Sequence, residues 1–194
     1  MSGRKLPDQF FARDAVNVAR DLLGCVLNTT VGGALTTGRI VEVEAYVGPE
    51  DPAAHGFRAR KSKRNQWLFG PAGTAYVYFI YGMHWCFNVV VLPEGVPAAV
   101  LVRALEPREG LDTMRERRGG GIDTSRLCRG PGCLSRALGI TGDLNGCSTS
   151  DGLISIHQSS GPKPTIETTP RVGISKAKDW PLRFYEKNSQ WVSG

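Results

Sequence analysis

Two oppositely charged side chains in the sequence could together form a hydrolytic centre. Glu44 lies in residues 39–47, where apolar and polar residues alternate as in a strand, and it shares the polar face with Tyr46. A carboxylate in this setting is usually exposed to solvent, but on a face that lines a cleft it can serve as a general base. Arg103 lies within the apolar segment 99–105, and a buried guanidinium requires an anionic partner. Glu44 is the obvious candidate for that partner.

The tip of a predicted β-hairpin carries unusual residues for a turn. Segments 74–80 and 85–92 are rich in β-branched and aromatic residues, and Gly82 between them supplies the freedom that a tight turn needs. Turns normally carry small polar residues. This tip instead carries Tyr81, Met83, His84 and Trp85. Either Tyr81 and Trp85 fold back onto the core, or the tip is a wedge that fills the gap left by a base extruded from DNA.

A short basic segment is compatible with nucleic-acid binding. Residues 58–64 (RARKSKR) contain five cations in seven positions, within a polar stretch, 48–73, that predicts a long surface loop. Such a run is usually only a solvated surface, and His55 in the same stretch is more often a loop residue than a catalyst. Phosphate contacts and aromatic stacking are, however, the two interactions that nucleic-acid binders combine. The formal net charge of +6 has the sign that favours an approach to phosphates.

Several common chemistries lack their sequence motifs. No GxSxG elbow, P-loop or HExxH motif is present. The five cysteines include no CxxC pair and the three histidines are scattered, so we expect no disulfide framework, no metal site and no cofactor. The amino terminus has no apolar signal core, and no segment reaches membrane-spanning length. We therefore expect a protein that is not secreted and has no membrane partner, located in the cytoplasm or nucleoid of a bacterium or in the nucleus of a eukaryote.

The pattern of elements predicts a single domain, residues 1–194, of the α+β class. Hydrophobic spacing predicts helices at 14–23, 109–118 and 134–138, with Asp14 as the cap of the first helix. Strands are predicted at 39–47, 74–80, 85–92, 99–105, 153–156, 171–174 and 182–185. Because these elements do not alternate as βαβ units, we expect a curved, largely antiparallel sheet with flanking helices and a protruding hairpin.

Nearly the whole chain resembles the alkyladenine (3-methyladenine) DNA glycosylase family, the type shared by mammals and many bacteria. The resembling segments, in order, are 43–55 (VEAYVGPEDPAAH), 73–83 (GTAYVYFIYGM), Asn88, 100–107 (VLVRALEP), 130–132 (GPG), 170–173 (PRVG) and 181–185 (PLRFY). The resemblance implies a monofunctional N-glycosylase of base excision repair. Such an enzyme flips an alkylated or deaminated purine (3-methyladenine, hypoxanthine or ethenoadenine) out of duplex DNA and hydrolyses its glycosidic bond, without a lyase step.

The resemblance also implies a role for each matching residue. Glu44 would deprotonate the attacking water, which Arg103 and the backbone carbonyl of Val172 would orient. The base pocket would be lined by Tyr46, His55, Tyr78 and Asn88. Asn88 would clash with the exocyclic amine of guanine. Tyr81 would intercalate into the duplex, and the other DNA contacts would come from Arg60, Ser62, Arg64, Met83 and His84.

Two positions depart from the pattern of the family. Cys133 stands where the family often has a lysine, and His84 where a tyrosine is common. Both departures affect contacts with DNA more than the chemistry. The expected partner is double-stranded DNA that contains damaged purines, bound by a monomer. Two alternatives stay open: a non-catalytic protein that binds alkylated DNA, and a small-molecule hydrolase whose hairpin aromatics belong to the core.

Overall fold

An eight-stranded antiparallel sheet forms the centre of the fold. The computed structural model of the protein describes residues 3–159 and 161–193. The helices are α1 (Asp8–Phe11), α2 (Ala15–Leu22), α3 (Leu111–Arg117) and α4 (Pro131–Leu138). The strands are β1 (Val26–Thr29), β2 (Thr36–Tyr46), β3 (Ala75–Ile80), β4 (His84–Val91), β5 (Ala98–Glu109), β6 (Ile154–His157), β7 (Ile166–Thr169) and β8 (Arg183–Glu186). Short 3-10 helices lie at Val31–Gly33, Phe57–Ala59, Gln66–Phe69, Thr124–Arg126 and Gly142–Leu144.

Strand β2 is the central strand of the sheet, because it pairs with β1, β5 and β8. Neighbouring strands follow the order β3-β4-β5-β2-β1-β6, with antiparallel pairing throughout. Strand β8 pairs with β2 from Glu42 to Glu44, and β7 pairs with β8. The C-terminal half of β2 therefore lies between β5 and β8, which places Glu42 and Glu44 inside the sheet.

The two faces of the sheet have different environments. Alternate residues of β2 to β5, among them Val43, Val77, Phe87 and Val102, join one buried apolar core. Helix α2 packs on this side against β2 and β5, and α4 packs against β4 and β5. The intervening residues of the same strands point to the opposite face and line a cavity. The alternation of side chains along each strand thus separates the core from the candidate site.

Helix α2 forms where hydrophobic spacing predicts it. Its buried residues follow the helical period and are Ala15, Val18, Ala19 and Leu22. The side chain of Asp14 accepts hydrogen bonds from the N–H groups of Val16 (2.9 Å) and Asn17 (3.1 Å). These groups have no partner within the helix, so the cap satisfies them. The predicted helix and its cap are confirmed, as are the α+β class, the antiparallel sheet and the hairpin.

One predicted strand is wrong, and three short elements were not predicted. Residues 171–174 bend instead of pairing, because Gly173 adopts a φ of 75° and the N–H of Val172 donates to the side chain of Glu44. Strands β1 and β7 and helix α1 span four residues each. In the described ranges, no helix combines the length and apolar character needed to cross a membrane.

Candidate active site

A cavity of about 560 Å³ lies on the face of the sheet opposite the core. The lining residues contributed by strands β2 to β5 include Tyr46, Tyr76, Tyr78, His84, Cys86, Asn88, Leu101 and Arg103, and the turn of the hairpin adds Tyr81. The loop residues 52–55 and 172–176 border the cavity, as do the first residues of α4 with the preceding glycine, 130–133. Val172 and Cys133 therefore line the cavity, although both lie far from strands β2 to β5 in the sequence. Within the described ranges, no three His, Cys, Asp or Glu side chains are grouped so that they could hold a metal ion.

Glu44 lies directly behind the cavity wall and is fully buried, whereas charged side chains on a strand are usually exposed. Its Oε1 accepts a hydrogen bond from the N–H of Val172 (2.7 Å) and lies 3.0 Å from Nη1 of Arg103. Its Oε2 accepts a hydrogen bond from the hydroxyl of Tyr46 (2.9 Å). Val172, Arg103 and Tyr46 all line the cavity, so each partner connects the carboxylate to it.

Arg103 has the predicted anionic partner and a second one. Besides the contact with Glu44, its Nε donates a hydrogen bond to Oε1 of Glu42 (2.9 Å). The pairing of β5 with β2 skips from Val102 to Ala104, and this irregularity leaves Arg103 without a directly opposed residue and can redirect its side chain. Burial by itself would lower the pKa of Arg103, but Glu44 and Glu42 outweigh it and raise that pKa. The guanidinium therefore stays charged.

Three aromatic side chains cluster at the cavity wall. Nδ1 of His55 and the hydroxyl of Tyr76 share a hydrogen bond of 2.8 Å, and the ring centroids of His55 and Tyr78 are 4.5 Å apart in an edge arrangement. Desolvation by the surrounding protein lowers the pKa of His55, and the nearby charge of Arg64 lowers it further. Burial raises the pKa of Tyr76 to about 12 and also raises that of Tyr78. At neutral pH these rings offer uncharged stacking surfaces to a planar ligand.

Two further pocket residues are fixed by contacts with the protein. Nδ2 of Asn88 donates a hydrogen bond to the carbonyl of Tyr76 (3.0 Å), which holds the amide against the cavity wall. Cζ of Arg171 lies 4.7 Å from the ring centroid of Tyr46, while Tyr46 also borders the cavity. Burial, and then the neighbouring charge of Glu44, raise the pKa of Tyr46. Its hydroxyl therefore remains a hydrogen-bond donor.

A buried asparagine organises the basic loop. Nδ2 of Asn65 donates hydrogen bonds to the carbonyls of His55 and Arg60 (both 2.9 Å). Its Oδ1 accepts hydrogen bonds from the N–H of Ser62 (2.7 Å) and from the Ser62 hydroxyl (3.0 Å). Nη2 of Arg64 donates to a strand β3 carbonyl (3.2 Å). These contacts attach the exposed basic residues to the cavity mouth at His55.

The loop after β2 is joined to the segment before Val172 by a buried ion pair. Asp51 and Arg171 are both fully enclosed, and Nη1 and Nη2 of Arg171 donate to the two oxygens of Asp51 (2.5 and 2.8 Å). Nη1 also donates to the carbonyl of Ala45, which precedes Tyr46 (3.1 Å). The pair therefore fixes two loops that border the cavity.

The tip of the hairpin projects into solvent. Tyr81 and Met83 are 77% and 69% exposed, so the alternative in which Tyr81 folds back onto the core is wrong. Trp85, in contrast, packs against the core. His84 lies against Gly132 at the start of α4, where a Cβ atom would meet the imidazole at 2.8 Å. The glycine thus allows the hairpin and α4 to approach each other, and His84 lies at the base of the projecting tip.

The structure brings to the site five residues that the sequence did not single out. They are Glu42, Asp51, Asn65, Tyr76 and Arg171. Tyr76 and Glu42 each lie two positions from a predicted site residue on the same strand face, and this spacing could have found them. The other three lie outside the strands, where no periodicity indicates which side chain turns inward.

Comparison with known proteins identifies the family of the chain. The sequence model of the family described as methylpurine-DNA glycosylase (MPG) matches residues 9–190. Three similar proteins are each named "Putative 3-methyladenine DNA glycosylase". The protein from Methanoculleus marisnigri is 55% identical over 192 residues, which covers 97% of this chain and 98% of the relative. The protein from Carboxydothermus hydrogenoformans is 48% identical over 190 residues (97% and 98%), and the protein from Rhodopseudomonas palustris is 50% identical over 192 residues (98% and 89%). The chain belongs to the methylpurine-DNA glycosylase family.

Proposed function

We propose that this protein removes alkylated or deaminated purines from duplex DNA by hydrolysing the N-glycosidic bond with a water that Glu44 activates. The class includes 3-methyladenine, hypoxanthine and ethenoadenine. Family membership supports the type of bond. The observation that carries the mechanism is the fully buried carboxylate of Glu44, held behind the cavity wall by Tyr46, Arg103 and Val172. A carboxylate removed from water at the wall of a cavity is the arrangement that a general base requires.

The hydrogen-bonding capacity of Glu44 leaves one position for a water. A carboxylate offers about four acceptor sites. The described residues occupy two on Oε1, through Val172 and Arg103, and one on Oε2, through Tyr46. The remaining lone pair belongs to Oε2, on the side of the cavity-lining Tyr46. A water there would donate to Oε2 and be oriented by Arg103 and by the carbonyl of Val172.

The proposed reaction is a displacement at the sugar. A proton of the water passes to Oε2 of Glu44 while the water oxygen bonds to C1′, and the bond between C1′ and the purine nitrogen breaks with its electron pair leaving on the base. The negative charge of Glu44 stabilises the oxocarbenium character that develops on the sugar. Alkylation at N3 or N7 makes the purine cationic and hence a better leaving group. No protein amine bonds to the sugar, so the DNA strand stays intact and no lyase step follows.

The aromatic side chains suit recognition of a damaged purine. Tyr46 and Tyr78 would stack on the base, and attraction of a cationic base to their rings contributes about 0.5–2 kcal/mol. His55 is uncharged at neutral pH, because its pKa is lowered, and so does not repel such a base. Asn88, held by its bond to Tyr76, would reject the exocyclic amine of guanine.

Delivery of the base requires that it leave the helix. Extrusion costs a few kcal/mol, roughly, and least for damaged bases. The exposed Tyr81 and Met83 would fill the gap in the duplex and offset part of this cost. Arg60, Ser62, Arg64 and His84 would contact the DNA around the flipped nucleotide. We propose that the protein acts on DNA as a monomer.

Base release from defined duplexes tests the proposal. Oligonucleotide duplexes that contain hypoxanthine, ethenoadenine or 3-methyladenine are incubated with the wild-type protein in the presence of EDTA, with an undamaged duplex as control. We expect release of the damaged base, an abasic strand that stays intact until alkali treatment, and no release from the undamaged duplex. Binding of the damaged duplexes without release would support the alternative of a non-catalytic damage binder.

A further inference from the structure

A second carboxylate is buried beside Glu44. Glu42 is fully enclosed, and its Oε1 accepts hydrogen bonds from Nε of Arg103 (2.9 Å), Nε of Arg183 (2.7 Å) and the hydroxyl of Ser193 (2.9 Å). Its Oε2 accepts a hydrogen bond from the N–H of Ser193 (2.6 Å). Among the described residues, Glu42 is absent from the cavity lining, and Arg103 is the side chain that contacts both Glu42 and Glu44. Glu42 can therefore affect Glu44 and the cavity through the guanidinium of Arg103.

All three nitrogens of the Arg103 guanidinium are directed to different partners. Nε faces Glu42, Nη1 faces Glu44, and Nη2 donates to the hydroxyl of Ser193 (3.4 Å). An arginine side chain that is free to turn prefers to bind a carboxylate with two parallel hydrogen bonds. Here the bond to Glu42 holds Nε away from Glu44, so that Glu44 receives one nitrogen only. The acceptor site on Oε2 of Glu44 that Tyr46 leaves unoccupied is therefore not taken by a second nitrogen of Arg103.

The charges of the cluster balance. Glu42 and Glu44 are opposed by Arg103 and by Arg183, whose Nε contacts Glu42. A buried ion pair is seldom more stabilising than apolar residues of the same volume, so stability alone gives little reason for this arrangement. Its geometry instead gives one specific result, a fixed orientation of Arg103.

We propose that Glu42 is a positioning residue, which holds Arg103 so that the guanidinium orients the attacking water and leaves one oxygen of Glu44 free to accept its proton. Ser193 contributes by holding both Glu42 and Arg103. This role rests on the proposed function. Without the charge of Glu42, Arg103 turns toward Glu44 as a two-nitrogen fork and competes with the water for Oε2.

The Glu42→Gln variant tests the proposal, because it keeps the size of the side chain and removes the charge. With enzyme in excess over a hypoxanthine duplex, we expect the single-turnover rate of base release to fall about 10²-fold, as for a displaced catalytic group. The dissociation constant for the duplex should stay within about twofold of wild type, because Glu42 does not line the cavity.

The Glu106→Gln variant is the matched control. Arg39 lies between Glu106 (2.7 Å) and Glu186 (2.5 Å), so this cluster repeats the arrangement of one arginine between two carboxylates outside the cavity. We expect the control to release bases at the wild-type rate. An equal loss of rate in both variants would mean that Glu42 serves only the fold, and would overturn the proposal.

A double variant separates positioning from a general structural effect. Where Arg103→Ala has already removed the guanidinium, Glu42→Gln should not reduce the rate further. If Glu42→Gln lowered the release rate of the Arg103→Ala variant by the same factor as that of the wild-type protein, a role of Glu42 through Arg103 would be overturned.

If Glu42→Gln does not fold, Ser193→Ala removes one contact to each of Glu42 and Arg103 without leaving a buried charge unpaired. It should lower the rate several-fold at unchanged duplex affinity, and a wild-type rate would contradict the proposal.

The outcome for wild type distinguishes this role from the function on which it rests. Release of hypoxanthine by the wild-type protein together with an unaffected Glu42→Gln variant would overturn the role of Glu42 and leave the proposed function in place. Absence of release by the wild-type protein would overturn both.

Discussion

The buried ion pair between Asp51 and Arg171 should make a large contribution to stability. Both side chains are fully enclosed, and the two oxygens of Asp51 accept hydrogen bonds from Nη1 and Nη2 of Arg171. The Asp51→Asn substitution keeps the shape of the side chain but removes its charge. The guanidinium of Arg171 then stays buried without a counter-ion, which is the costly half of a broken buried pair.

The expected loss in the free energy of unfolding is about 3–5 kcal/mol. For a chain of this length, such a loss lowers the melting temperature by about 6–20 °C. Replacing Arg171 by Met as well should recover part of the loss, because the unpaired charge is then removed. The exposed pair of Asp112 and Arg115 (2.7 Å) provides the control, since the side chain of Asp112 is 100% exposed. Asp112→Asn should leave the free energy of unfolding close to that of the wild-type protein.

Urea unfolding of wild type and the three variants measures these differences directly. The m-values should agree, so that shifts in midpoint report stability alone. A loss for Asp51→Asn no larger than that for Asp112→Asn would refute the reasoning, as would a double variant less stable than the single one. Because the pair fixes the loop after β2 and the segment before Val172, we also expect Asp51→Asn to slow base release at temperatures where it is folded.

Three further predictions concern the cavity and its mouth. The pKa of His55 is lowered below 6.5 in the folded protein, so the unfolded chain takes up a proton first as the pH falls below 6.5. This contribution of His55 to stability is complete above pH 6.5 and decreases below it. The free energy of unfolding, measured from about pH 7.5 to about pH 5, should therefore depend less on pH in His55→Gln than in the wild-type protein. The same slope of this free energy against pH in both proteins would contradict the prediction. Tyr81→Ser should impair release from duplexes far more than binding of a free purine base, whereas equal effects would mean that Tyr81, which also borders the cavity, acts on the base and not on the duplex. Cys133→Lys places a cation at the start of α4 beside the cavity, so it should tighten duplex binding and steepen the salt dependence by about one ion; an unchanged slope would show that no phosphate lies there.

The alternation of residues in β2 could be interpreted from the sequence, but the burial of its polar face could not. Spacing correctly places Glu44 and Tyr46 on the side opposite the core. That side is covered by the segment from Arg171 to Ser193, whose contacts with β2 join residues more than a hundred positions apart. The spacing of residues within one strand gives no information about such long-range contacts. From the sequence pattern alone, the default expectation for Glu44 is therefore an exposed position on the surface.

The irregular parts of the chain escaped prediction for a related reason. The pairing skips Arg103 on β5, and such a bulge depends on how two strands meet rather than on either sequence. Residues 171–174 have apolar residues typical of a strand, yet the buried Arg171 and the hydrogen bond of Val172 to Glu44 bend them into the site. The family resemblance assigns Val172 to the site, where the apolar pattern alone predicts a strand.

Activation of the water by Glu44 is tested most directly by comparing Glu44→Gln with the wild-type protein in single-turnover release of hypoxanthine. Glutamine can still accept a hydrogen bond but cannot take up the proton. We expect the rate to fall by about 10²–10⁴-fold while the dissociation constant for the lesion duplex stays within about threefold. A release rate within about threefold of wild type would contradict the assignment of Glu44 as the general base.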